Sequence, residues 1–161
     1  MSYGRIGVIG AMDSELTALI AALAQPARET VQGLAFHTGR LGAREVVLVR
    51  CGIGKVSAAR CTQVLIDRFA PAAVINTGIA GGLGAGLAVG DIVVADGLVQ
   101  HDFDAAPIGF VRGCLCMGDP CTPTVFTPDE PLSALLARTA GDAAGAQRVH
   151  RGLIATGDQF I

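Results

Sequence analysis

The spacing of apolar and polar residues along the chain changes several times, and each change marks an element. Arg5 to Ile9 is a short extended run that stops at Gly10. From Asp13 to Ala24 the period becomes helical: Leu16, Leu19, Ile20 and Leu23 stand at i, i+3, i+4 and i+7, the buried stripe of an amphipathic helix. Two extended runs follow, Leu34 to Leu41 and Glu45 to Arg50, joined at Gly42-Ala43. "KVSAARCTQVLIDRF" predicts a second amphipathic helix, and the unbroken apolar character of "AAVINTG" predicts a central strand buried on both faces. "DIVVADGLV" predicts another strand, and the stretch from His101 to Asp129, rich in Gly, Pro and Cys, predicts a loop. "PLSALLARTAGDA" predicts a helix with Pro131 at its start, and "VHRGLIATG" a last strand. Strands alternating with helices indicate the α/β class. No internal repeat or low-complexity linker divides the chain, so residues 1–161 read as a single domain.

The glycines sharpen this picture. Four strands end in glycine-containing turns, "IGAMDSE", "CGIGKVS", "NTGIAGG" and "ATGDQF". In an open parallel sheet the crevice beyond the carboxyl ends of the strands is where ligands bind, because loops there present backbone amides and helix N-termini. The four turns are therefore expected to converge on one pocket. Glu15 lies in the first of them, at the start of a helix and beside the buried stripe through Leu19. A first-turn carboxylate is also an ordinary partner of the helix dipole, so its meaning depends on what else meets it. Nucleotide fingerprints are absent: "GIGKV" has neither the earlier glycine nor the Ser/Thr after Lys55 of a phosphate-binding P-loop, and no turn spells GxGxxG.

Composition narrows the classes of partner. Apolar residues are 51% of the chain and aromatics only 4%, which makes the expected core aliphatic. The net charge is −2 with no cluster of Lys and Arg, so the electrostatic attraction that nucleic acid or an anionic membrane requires is missing, and a small-molecule partner is expected. Asp13 and Glu15 interrupt any signal-peptide core, and no stretch approaches 18 uncharged apolar residues, so the chain reads as soluble and cytoplasmic. Five cysteines, Cys51, Cys61, Cys114, Cys116 and Cys121, without a secretory signal argue against a disulfide framework. "CLCMGDPC" lacks paired CxxC or HxxxH spacing, so reduced loop thiols are expected there and no metal.

The segments "IGVIGAMDSEL", "CGIGKVSAA", "INTGIAGGL", "VGDIVVAD", "HDFD" and "RGLIATGDQFI" occur in the order and spacing of the 5′-methylthioadenosine/S-adenosylhomocysteine nucleosidases, a family this chain resembles over essentially its whole length. The resemblance implies the nucleoside phosphorylase fold, with a mixed, mostly parallel sheet flanked by helices. It also implies hydrolysis of the N-glycosidic bond with release of adenine, no cofactor and no metal, and a homodimer. It makes Glu15 the carboxylate that activates the attacking water, with Ala11 and Met12 beside the ribose. Ile53 then lines the thioalkyl and ribose side, and Ala80 and Gly81 sit by the adenine and ribose. Phe160 stacks on the purine and the Ile161 backbone bonds its edge. Ile108 and Phe110, in "AAPIGFVRG", correspond to a lid over the neighbouring subunit's thioalkyl pocket. An oxocarbenium-like transition state needs an aligned water, a base and an acid for the departing purine, which suits this assignment.

Two departures bear on the expectation. Ile79 stands where many relatives and the related phosphorylases carry serine, and its apolar side chain cannot hydrogen-bond phosphate, which favours water as acceptor. The chain also reads as the N-terminal two-thirds of the family's length, ending at Phe160-Ile161, so that the later Met-Glu pair for the ribose hydroxyls and the Asp that protonates the purine are expected to be missing and the chain alone poorly active. Purine or uridine phosphorylase, a futalosine-type hydrolase and a non-catalytic nucleoside-binding fragment remain the alternatives. His101, with Asp102 and Asp104 nearby, is expected to anchor its loop, and Asp158 its own turn. His37 and His150 have no motif around them.

Overall fold

Val46, Val47, Leu48 and Val49 are all buried, and the first sheet is built around them. The computed structural model describes residues 4–115 and 122–159, in two compact units, Met1–Ala80 and Gly81–Ile161. In the first, β1 (Ile6–Gly10), β2 (Ala24–Val31), β3 (Leu34–Leu41), β4 (Arg44–Arg50) and β5 (Ala73–Asn76) form one sheet in the order β2-β3-β4-β1-β5. β1 runs parallel to β4 and β5, while β3 is antiparallel to both β2 and β4. The architecture is therefore α/β with a mixed sheet, as the pattern and the resemblance imply.

Two helices cover this sheet, and side-chain alternation along β4 shows why its apolar run is unbroken. Val47 and Val49 join a cluster with Cys61, Val64, Leu65 and Phe69 of α2 (Lys55–Phe69). Val46 and Leu48 point the other way, into a cluster with Leu16 of α1 (Asp13–Ala21) and Leu23. Gly7 in β1 lets α2 approach closely, because a Cβ there would stand 2.7 Å from the Leu65 Cδ2.

Three expectations change. The first helix ends at Ala21, not Ala24. Pro26 disfavours helical backbone at the residue before it, and Gln25 adopts φ 53°. Leu23 is buried all the same, just beyond the helix. The segment after it forms β2, which the polar sequence "AQPARETV" does not announce. β2 is an outer strand, mostly exposed, with an irregularity between Ala24 and Ala27 that accommodates the proline. It turns into β3 through Gln32 and Gly33, both at positive φ, the geometry of a tight hairpin. Lastly, β5 is the outer strand at the other side of this sheet and is half-buried, where its apolar run predicts a central strand.

In the second unit β6 (Ile92–Gln100) pairs in parallel with β7 (Val149–Thr156), and α3 (Glu130–Ala144) packs on both. Asp129 caps α3, its Oδ1 accepting the Leu132 N–H at 2.8 Å, with Pro131 in the first turn. Between β6 and α3 the described residues are largely irregular. They contain a 3₁₀ turn at Ala106–Ile108 and a two-hydrogen-bond bridge between Leu98 and Phe126. Among the described residues no helix is long and apolar enough to cross a membrane.

Candidate active site

Parallel pairing brings three of the four glycine turns to one sheet edge. Gly10 lies opposite Arg50 and Ile9 opposite Asn76, so β4, β1 and β5 end together. Backbone bonds continue past the strand ends: the Cys51 N–H donates to the Gly10 carbonyl at 2.9 Å, and the Thr77 N–H to the Ile9 carbonyl at 3.0 Å. The turn after β7 belongs to the second unit.

Glu15 stands at this edge. Its Oε2 accepts the Met12 N–H at 2.9 Å, and its Oε1 accepts the Ile79 N–H at 3.1 Å. Each carboxylate oxygen is thus held by a backbone donor from a different turn, one after β1 and one after β5. Met12 precedes the first residue of α1, and the Glu15 N–H points back to the Met12 carbonyl at 3.2 Å, so the carboxylate and the helix start are fixed together. The group is half-buried, and each of its oxygens retains acceptor capacity for a further partner. A carboxylate with a fixed orientation, open on one side to solvent, can align a water molecule and take its proton.

The surroundings keep other ionisable groups quiet. Cys51, buried beside Gly10, has its thiol pushed up chiefly by desolvation, with the charge of Glu15 adding to the effect, and its Sγ bonds the Gly52 carbonyl at 3.1 Å. Cys61, fully buried behind it in α2, is pushed up to about 11 by the same desolvation, with the Cys51 thiol contributing next. Both are neutral thiols near neutral pH. Arg50, at the end of β4, is engaged by Asp13 at 3.1 Å on the exposed start of α1.

Of the residues expected at the site, Ala11, Met12 and Glu15 are contiguous with the first turn; Ala11 packs against the core and Met12 is exposed. Ile53 is in the second turn, 60% exposed, and Ala80 lies in the third, also exposed. The side chain of Ile79 is exposed too, and the residue meets Glu15 through its N–H. Gly81 begins the second unit, with open space where a Cβ would be. Ile108 sits exposed at the end of the 3₁₀ turn and Phe110 is half-buried after it. Phe160 and Ile161 lie outside the described residues, as do Cys116 and Cys121. Sequence reasoning missed the Ile79 amide and two glycines, Gly10 and Gly78, that flank the carboxylate. Backbone donors carry no side-chain signature, and the glycines of the first and third turns were the signal.

The clusters of the second unit hold that unit's own structure together. The His101 N–H donates to the Thr156 carbonyl at 3.0 Å, and the Asp158 N–H to the Asp102 Oδ2 at 2.6 Å, which joins the ends of β6 and β7. His150, without a motif in the sequence, has its Nε2 3.0 Å from Asp91 Oδ2. Among the described residues no group of three or more His, Cys, Asp and Glu is arranged to hold a metal. A cavity of about 230 Å³ lies at the other end of the first sheet, where its carboxylate, Glu45, is paired with Arg5.

Comparison with known proteins bears on this edge. Residues 5–161 match the model of the phosphorylase superfamily. The 5′-methylthioadenosine/S-adenosylhomocysteine nucleosidase of Shewanella pealeana is 41% identical over 157 residues, covering 98% of this chain and 66% of its own length. The nucleosidase of Neisseria meningitidis in complex with methylthio-immucillin-A superimposes with a TM-score of 0.88 at 38% identity, over 98% of this chain and 66% of that one. The Streptococcus pneumoniae nucleosidase with the transition-state inhibitor MT-ImmA gives a TM-score of 0.86 at 40% identity, with the same coverage. The chain thus spans just under two thirds of the length of these relatives.

Proposed function

Because this chain belongs to the phosphorylase superfamily, we propose that the protein hydrolyses the N-glycosidic bond of 5′-methylthioadenosine and S-adenosylhomocysteine, with Glu15 as the base. The observation that carries the reading is the carboxylate held between two turns at the carboxyl edge of the parallel strands, one N–H on each oxygen. In the reaction the bond from the anomeric carbon to the purine breaks and its electron pair leaves with adenine, while a water oxygen bonds the anomeric carbon. Glu15 takes a proton from that water. The departing adenine also needs a proton, and the resemblance attributes that step to a carboxyl group in the part by which the relatives exceed this chain. Fixed orientation of the base removes freedom that the transition state would otherwise have to freeze out.

Water as acceptor is supported by the third turn. "NTGIAGG" carries no arginine, and Ile79 offers a backbone N–H already engaged by Glu15 and an apolar side chain. The reading carries with it Ala11, Met12, Ile53, Ala80 and Gly81 around ribose and adenine, Phe160 and Ile161 on the purine, no cofactor, and a cytoplasmic homodimer in which Ile108 and Phe110 cover the partner's pocket. The test is adenine release from methylthioadenosine, followed with and without added phosphate. Expected are free adenine and a reducing thioribose at a rate phosphate does not change. A sugar 1-phosphate product would assign the protein to phosphorolysis instead, and no cleavage under either condition, with the part by which the relatives exceed this chain also present, would remove the catalytic reading.

A further inference from the structure

Glu15 is enclosed on two sides by residues that have no side chain. A Cβ on Gly78 would lie 3.0 Å from Glu15 Oε1, 3.4 Å from its Cδ and 3.7 Å from Oε2; the three nearest atoms all belong to the carboxylate. A Cβ on Gly10 would lie 3.3 Å from Glu15 Oε2 but also 3.0 Å from the Cγ of Leu16, which is 1% exposed. Neither glycine has a positive φ, so neither is required by its backbone conformation. What Gly78 supplies is room. Without a Cβ, the turn after β5 comes close enough for the next residue, Ile79, to place its N–H on Oε1.

We propose that Gly78 is a positioning residue for Glu15: its missing side chain is what allows the third turn to hold the carboxylate in its reactive orientation. The inference rests on the reading of Glu15 as the base. The chemistry separates the two glycines. In the Gly78→Ala variant the methyl group presses only on the far end of a flexible side chain, so the carboxylate yields by a few tenths of an ångström and the fold is undisturbed. At a compatible φ the loss of glycine also restricts the unfolded chain, which favours the folded state. In Gly10→Ala the methyl group meets a buried leucine as well, so packing suffers together with the carboxylate.

The experiment is steady-state adenine release from methylthioadenosine by the protein and its Gly78→Ala and Gly10→Ala variants, with thermal unfolding of each. Because reacting groups must be held to about half an ångström, Gly78→Ala is expected to lower kcat roughly tenfold with KM little changed, while Tm holds or rises. Gly10→Ala is expected to lower both kcat and Tm. The decisive readout is the double variant: with Glu15→Gln already in place the base is gone, so Gly78→Ala should cost no further activity. An equal loss in both backgrounds, a Gly78→Ala enzyme within twofold of the parent, or a fall in Tm that accompanies its lost activity would each overturn the proposal. If instead Glu15→Gln alone is as active as the parent, the reading of Glu15 fails, and this positioning role fails with it.

Discussion

Replacing Glu15 by glutamine changes two quantities that the structure allows to be separated. The side chain keeps its size, but an amide oxygen can accept only one of the two N–H groups that now meet the carboxylate, from Met12 and Ile79. The amide NH₂ is then turned toward the other, donor against donor. A buried donor left unsatisfied costs about 1–3 kcal/mol; this site is half-buried and water reaches it, so the lower end applies, about 1 kcal/mol, or roughly 2–4 °C in Tm for a domain of this size. The catalytic loss is larger. Removing a general base lowers the rate about 10²–10⁴-fold, which is about 3–5 kcal/mol of barrier at 1.36 kcal/mol per decade. Adenine release measured beside thermal unfolding and titration with a non-hydrolysable substrate analogue tests the separation: binding should persist, Tm should fall slightly and turnover should collapse. A variant that releases adenine within tenfold of the parent rate would refute the assignment of Glu15.

Other consequences concern the frame around the site. Leu65 is fully buried under β1 and touches the space left by Gly7, so Leu65→Ala should cost about 2–5 kcal/mol, seen as a lower denaturant midpoint with an unchanged slope. The Ala88 N–H, followed by His150 and Arg148, holds the Asp91 carboxyl below the usual carboxylate range. That contribution to stability is present above the unfolded value of about 3.9 and is lost as pH falls through the lowered folded value. Unfolding scans from pH 5 downward should therefore show a shallower acid loss for Asp91→Asn, and an unchanged slope would contradict the linkage. Cys51 and Cys61, neutral and buried, should resist alkylation at pH 7 in the folded protein and react once it is unfolded, as mass spectrometry after iodoacetamide treatment would reveal.

Much of the frame was legible in the residues. The bounds of β3 and α2 are those that periodicity predicts, and β1 and β4 lie within a residue of theirs, because each carries an apolar pattern whose period matches its element. Glu15 was legible as a first-turn carboxylate after a strand and a glycine, and the likeness of the surrounding motifs to a known family gave it a role. β2 was not, since an outer strand needs little apolar surface and its pairing with β3 is decided by a neighbour rather than by its own side chains. The position of β5 at the side of its sheet was likewise invisible: an apolar run states how much a strand prefers burial, not which strand lies beside it. The hold on Glu15 belonged wholly to tertiary structure. Residues 15 and 79 are 64 positions apart, and the bond between them joins a side chain to a peptide N–H that every residue except proline possesses. The sequence could place a glycine in each turn; only the parallel pairing of β1 with β5 turned those glycines into the space in which a carboxylate is fixed.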